Sequence, residues 1–216
     1  MTRRSFRFVL PAVLALPVLG AYPGGWAAIT VEDLPDYVVA RQPVDLSFTV
    51  RQHGVTPLSG LSASVAATDG SLEASAAAIP GQGAGRYIAT LTLPRSGEWT
   101  ITIQSGFRGS NTTLLPLPAI DAGTRAPPLA EAERGRRLFV AKGCVTCHVH
   151  SGVQGRSLSI GPELTGRRYP AAFLGQFLAN PAMISAPRGG TWDMPNLNLK
   201  QGEIAALVAF INGEAR

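Results

Sequence analysis

Cysteine is nearly absent from this chain: 216 residues contain two, and both lie in one pentapeptide. No disulfide framework can therefore be built. Charge is sparse as well, with 15% of residues charged against 45% hydrophobic. That balance belongs to a core-forming chain and excludes wholesale disorder. A membrane-spanning run is missing too. The apolar stretch from Phe8 to Ala21 is short and is interrupted by Pro11 and Pro17, which makes a poor membrane span. Nor is there an internal repeat, a long basic run or a nucleic-acid motif, so the net charge of +5 does not point to nucleic acid.

What is present begins with an export signal. Arg3, Arg4 and Arg7 precede the apolar stretch, and Gly25-Trp26-Ala27 places small residues where a signal peptidase needs them. Cleavage is expected after Ala27, so residues 1–27 read as a signal peptide and the protein as periplasmic or otherwise exported. An uncleaved anchor, with membrane association, is the alternative. The twin-arginine pattern in Thr2-Arg3-Arg4-Ser5-Phe6 is the less favoured reading of the same residues.

The length allows one large domain or two small ones, and the patterning favours two. Residues 28–115 alternate with period two: Val44, Leu46, Phe48 and Val50 share one strand face, and Leu61, Ala63, Val65 and Ala67 another. Tyr87 to Leu93 and Trp99 to Ile103 flank Pro94-Arg95-Ser96-Gly97, which predicts a β-hairpin. Several short strands predict an all-β, immunoglobulin-like sandwich. Pro116, Pro118, Gly123, Pro127 and Pro128 mark residues 116–128 as a linker. Residues 129–216 then turn helical. One amphipathic helix is expected over 129–142 with Gly143 as its cap, and another over 200–211 with Asn212-Gly213 as its stop.

Between those helices stands Cys144-Val145-Thr146-Cys147-His148. A Cys-x-x-Cys-His sequence is the attachment signature of a c-type haem, with two thiols for the porphyrin vinyl groups and an adjacent histidine for iron. Half a zinc site and a redox dithiol are the competing readings. Zinc would need two further ligands at matching spacing, and there is no third cysteine. A redox dithiol should follow a strand, whereas the segment before Cys144 reads as helix.

From Gly135 onward the chain resembles the class I, monohaem c-type cytochromes. The resemblance rests on Gly135 and Phe139 in the first helix, Leu207 and Phe210 in the last, the pentapeptide, Gly161-Pro162-Glu163-Leu164-Thr165-Gly166, and Met194-Pro195-Asn196-Leu197. It implies an all-α cytochrome c fold with one haem c, bound through Cys144 and Cys147. It implies further that the Pro162 carbonyl accepts from His148, that Leu164 packs on the haem, and that His148 and Met194 are the axial ligands. Met183 competes for the second axial role but lacks the Met-Pro context. His150 is read as an exposed histidine. Trp192, Arg167, Arg168 and Tyr169 are candidates to bond the haem propionates, with solvated arginines the equal alternative. Lys200 stands where the family often has a serine or threonine cap.

The upstream domain resembles periplasmic domains of the YtkA and FixH type, chiefly in residues 43–50 and 87–103. Residues 28–128 hold no Cys, no Met and a single histidine, His53, which argues against a copper site there. The expected function is one-electron transfer rather than enzymatic chemistry. The alternatives are a haem peroxidase or gas-binding site, or a β domain that binds a metal or protein partner. Residues 28–128 carry −2 and residues 129–216 carry +4. A redox donor and acceptor with acidic docking faces are the expected partners, steered by Arg156, Arg188 and Lys142.

Overall fold

The computed structural model describes residues 25–155, 157–183 and 194–213. The export-signal residues before Gly25, together with Arg156, Arg188, Trp192 and Asp193, lie outside them. No helix among the described residues is long and apolar enough to cross a membrane.

Eleven strands come first in the described chain, then the helices. One sheet runs in the order β1 (Ala27–Val31), β3 (Pro43–Gln52), β8 (Arg86–Thr92), β7 (Ile79–Pro80), with β4 (Thr56–Pro57) on β3. The other runs β2 (Val38–Val39), β11 (Leu117–Ile120), β9 (Gly97–Gln104), β5 (Ser64–Thr68), β6 (Glu73–Ala77), with β10 (Asn111–Thr113) on β9. Pairing is antiparallel except between β11 and β2. Inward residues of both sheets, among them Leu46, Phe48, Val50, Tyr87, Val65, Trp99 and Ile101, form one apolar core.

Three expectations change. The strands around Pro94–Gly97 do not form a hairpin, since β8 pairs with β3 and β7 while β9 pairs with β5, β10 and β11. The turn carries the chain from one sheet to the other. Alternation reports which side of a strand is buried, not which strand lies beside it. Hairpins lie elsewhere, among them one in the Ala/Ser-rich stretch, where β5 and β6 pair from Ser64↔Ala77 to Thr68↔Glu73. Second, the proline-rich segment after residue 115 is in part a strand. Leu117 and Ala119 point inward at 1% and 4% exposure, and their alternation outweighs the prolines. Third, β1 starts at the expected cleavage point. Ala27 is buried and pairs with Gln52, and the Trp26 carbonyl accepts the His53 N–H at 3.0 Å. A cut after Ala27 would remove that first rung.

The helical domain consists of α1 (Glu131–Ala141), the single turn α2 (Cys144–Cys147), α3 (Ala171–Ala179) and α4 (Gln201–Ile211). Expected helix limits agree to within two residues. Lys200 caps α4 better than its type suggests, because its N–H donates to the Glu203 carboxylate three residues on, at 2.9 Å. The sequence reading did not assign α3. Pro170 ahead of a run with Leu174 and Leu178 four apart was the available signal, and both leucines are buried.

Candidate functional site

Helix α1 stops because Gly143 takes a left-handed conformation, φ 78°. A Cβ there would also lie 2.7 Å from the Ile29 carbonyl oxygen, so glycine is required twice over. The chain re-enters one helical turn that sets Cys144 and Cys147 on one side. His148 then leaves in extended geometry, its N–H donating to the Cys144 carbonyl at 2.9 Å.

The loop 158–164 is stitched to this turn. Leu158 N–H donates to the Thr146 carbonyl and Gly161 N–H to the Cys147 carbonyl, each at 2.9 Å, and Leu164 N–H donates to the Val149 carbonyl at 2.8 Å. Gly161 lies so close to the imidazole of His148 that any Cβ would collide with it. That approach brings the Pro162 carbonyl 2.9 Å from His148 Nδ1. A carbonyl can only accept, so Nδ1 carries the proton and Nε2 keeps a lone pair. A second partner of this kind orients a metal-binding histidine and strengthens it as a ligand.

Burial lowers the His148 pKa below its ordinary value, and the bond to Pro162 only partly offsets this. Burial also pushes both thiols up, Cys144 to about 12. A redox dithiol needs the opposite, a thiol held as thiolate. Among the described residues, no group of three or more His, Cys, Asp or Glu could hold a metal ion, which leaves the zinc reading without its remaining ligands.

The apolar wall of the site is a second cluster. It contains Leu138, Phe139, Leu164, Leu207 and Phe210, with Cys144, Tyr169 and Met194 packed against it. Helices α1 and α4 cross at Gly135, where any Cβ would strike the Ala206 backbone carbonyl. One turn on, the rings of Phe139 and Phe210 sit 5.5 Å apart at 60°. Asn212 ties the end of α4 to the loop, accepting from Tyr169 N–H at 2.8 Å and donating to its carbonyl at 2.9 Å. Met183, by contrast, is 46% exposed. Arg167 and Arg168 are exposed, and Tyr169 is half-buried.

Two residues are not where the sequence reading placed them. His150 is buried, not exposed, with its ring 4.3 Å from that of Phe210 and 5.9 Å from that of Phe139. It takes an aromatic place between α1 and α4, and its Nδ1 accepts the Gly152 N–H at 3.0 Å. Lys142 is 3% exposed and so cannot steer a partner. Its Nζ lies 2.7 Å from Glu203 Oε1 and donates to the Glu32 carbonyl.

Lys142 belongs to a polar seam between the domains that sequence reasoning missed. Arg134 pairs with Asp36 and Lys200 with Asp33. Arg137 donates to the Asp36 carbonyl at 3.1 Å, and Thr30 Oγ1 donates to the Lys142 carbonyl at 3.4 Å. The available signal is the opposite charge of the two halves, −2 over residues 28–128 and +4 over residues 129–216. Thr30 and Thr49 face away from the sandwich core and are still buried. They line a cleft of about 340 Å³ shared with Lys142, Leu197 and Glu203.

Among known proteins, the family model described as Cytochrome c matches residues 132–213. A search of curated proteins returns no match. The solved structures found include FdeC, an Escherichia coli adhesin, at 27% identity and a TM-score of 0.35 over 44% of this chain and 30% of that one. The ZirS C-terminal domain matches at 9% identity and 0.31, over 56% and 87%. A conjugative transposon lipoprotein from Bacteroides eggerthii matches at 14% identity and 0.28, over 47% and 100%. This chain thus spans under a third of the FdeC chain, and likenesses this slight carry no argument. The family match runs from the second residue of α1 through α4 and includes every residue of the turn from Cys144 to His148, so residues 132–213 are a cytochrome c domain, preceded in this chain by a β-rich region.

Proposed function

We propose that this protein carries single electrons outside the cytoplasm, using one haem c attached at Cys144 and Cys147, with His148 and Met194 as axial ligands. When bound, that group supplies the one-electron iron couple. His148 is already held in the tautomer that offers Nε2 to iron, because its Nδ1–H donates to the Pro162 carbonyl at 2.9 Å. This observation carries the reading. Leu164, 8% exposed, and Phe139 supply an apolar wall. Met194 packs against it, offering a soft thioether that favours reduced iron and raises the potential.

The location rests on the arginine-led apolar N-terminus and on the domain family. Signal processing before Trp26 would leave β1 whole. The upstream domain is read as an immunoglobulin-like module of the YtkA and FixH kind, supported by its two sheets around one core. Docking by the basic haem domain to an acidic redox partner belongs to the same proposal, now without Lys142.

Redox difference spectra of the purified protein test the carrier reading, and ligand exchange separates the methionines. Met194→Ala should lower the reduction potential and let carbon monoxide bind the reduced protein, whereas Met183→Ala should do neither. The reverse result would overturn the ligand assignment. Carbon monoxide binding to the unaltered protein would favour a gas-binding or peroxidase site.

A further inference from the structure

The seam falls on the two segments that flank the proposed iron ligands. On one side, Lys142 and Gly143 run directly into the attachment turn. Ala141, just before them, is fully buried in the core of the β domain and not in that of the haem domain. The Lys142 ammonium is out of water, and it is satisfied by Glu203 of α4 together with the carbonyl of Glu32, the residue after β1. A buried ammonium that loses such a partner is strongly destabilised. Gly143 rests on the Ile29 carbonyl of β1.

On the other side, the turn between β3 and β4 meets the Met194 loop. A Cβ on Gly54 would stand 4.0 Å from Pro195 Cγ, the residue after Met194. Leu197 and Asn198 of the same loop share a cleft with Thr30, Thr49 and Arg51 of the β domain. Outside these contacts, Asp36 and Asp33 pair with Arg134 and Lys200.

We infer that the β domain is a positioning element of the haem site. It grips the attachment turn through Lys142 and Gly143 and borders the methionine loop beside Pro195, and so fixes how the two are set relative to each other. The inference rests on the His148 and Met194 reading. In this arrangement the −2 of one domain answers the +4 of the other within a single chain.

The test reverses charge on the β domain alone, in the full-length holoprotein. Asp33→Lys with Asp36→Lys sets like charges against Lys200 and Arg134 and touches no haem-domain residue. Added positive charge by itself would stabilise the electron-rich state and raise the reduction potential. Loosening the Met194 loop weakens the thioether bond to iron and lowers it. The expected result is a fall of at least tenfold in the reduced-to-oxidised ratio at fixed solution potential, about 59 mV for one electron, with carbon monoxide now binding. A potential that is unchanged or raised would overturn the inference. Asp33→Asn with Asp36→Asn is the milder second pair, expected to lower the potential by less, and a potential that does not fall there counts against it equally. If the unaltered protein lacks the far-red absorption of a thioether–ferric bond, the Met194 assignment fails and the inference falls with it; with that absorption present, a potential that does not fall overturns the inference alone.

Discussion

The two domains bury their chains in opposite manners. The β domain closes on itself: Trp99, Tyr87, Phe48, Leu46 and Ile101 are at most 1% exposed, and their neighbours come from both sheets. The haem domain buries Phe139 and Leu207 as fully, but its chemical residues are left half-buried. Cys144, Cys147, His148 and Met194 are all half-buried, and of these Cys144 and Met194 pack against the apolar cluster. A domain finished by its own side chains needs no other component. One whose chemical residues stay half-covered is finished here by the seam at Lys142 and, on the proposed reading, by the haem it would hold. The contrast suggests that the β domain gives stability and the haem domain receives it.

The largest expected effect would break that contrast outright. Trp99→Ala should cost about 3–5 kcal/mol in the β domain, as large aromatic truncations in packed cores do. Two calorimetric transitions, with only the β one shifted, would mean separate cores merely side by side. A coupled loss, with the haem-domain transition moving too, is what the seam requires. Next in size, Gly135→Ala should destabilise the haem domain by about 3 kcal/mol. The new methyl meets the Ala206 backbone, which cannot move aside as a flexible side chain would. Denaturation followed by haem absorption reads this directly, and an unchanged midpoint would mean that α1 and α4 can separate freely.

The smallest effect sharpens the comparison at the seam. Arg134 bonding and charge hold Asp36 below its ordinary carboxylate pKa, as Lys200 does for Asp33. A folded-state pKa below the unfolded value means stability that is present above about pH 3.8, the ordinary value, and lost as pH falls through the folded pKa. Acid titration below that point should loosen the domains from one another before either core melts. The Arg134–Asp36 pair is partly exposed and worth no more than about 1 kcal/mol, and the Lys200–Asp33 pair lies open to solvent, where screening leaves it little weight. Asp36→Asn should remove most of the Arg134 contribution, measured as a small drop in thermal stability that disappears in high salt.

Much of the local form of the candidate site was legible in the sequence, because neighbouring residues make it. Cys144, Cys147 and His148 occupy consecutive helical and extended positions, and a glycine stops α1 just ahead of them. The strand faces were legible for the same reason: alternation is a property of neighbouring residues, and Leu46, Phe48 and Val50 face inward as expected. Tertiary structure alone decided that β8 and β9 part into different sheets, that Leu117 and Ala119 fill a core amid prolines, and that His150 packs against two phenylalanines. It decided above all where Lys142 points. A lysine two residues before a haem-attachment cysteine reads as solvated, since ammonium groups are seldom buried without partners. Its partners, Glu203 and the Glu32 carbonyl, lie sixty-one residues downstream and 110 residues upstream, and only folding brings them to the same place.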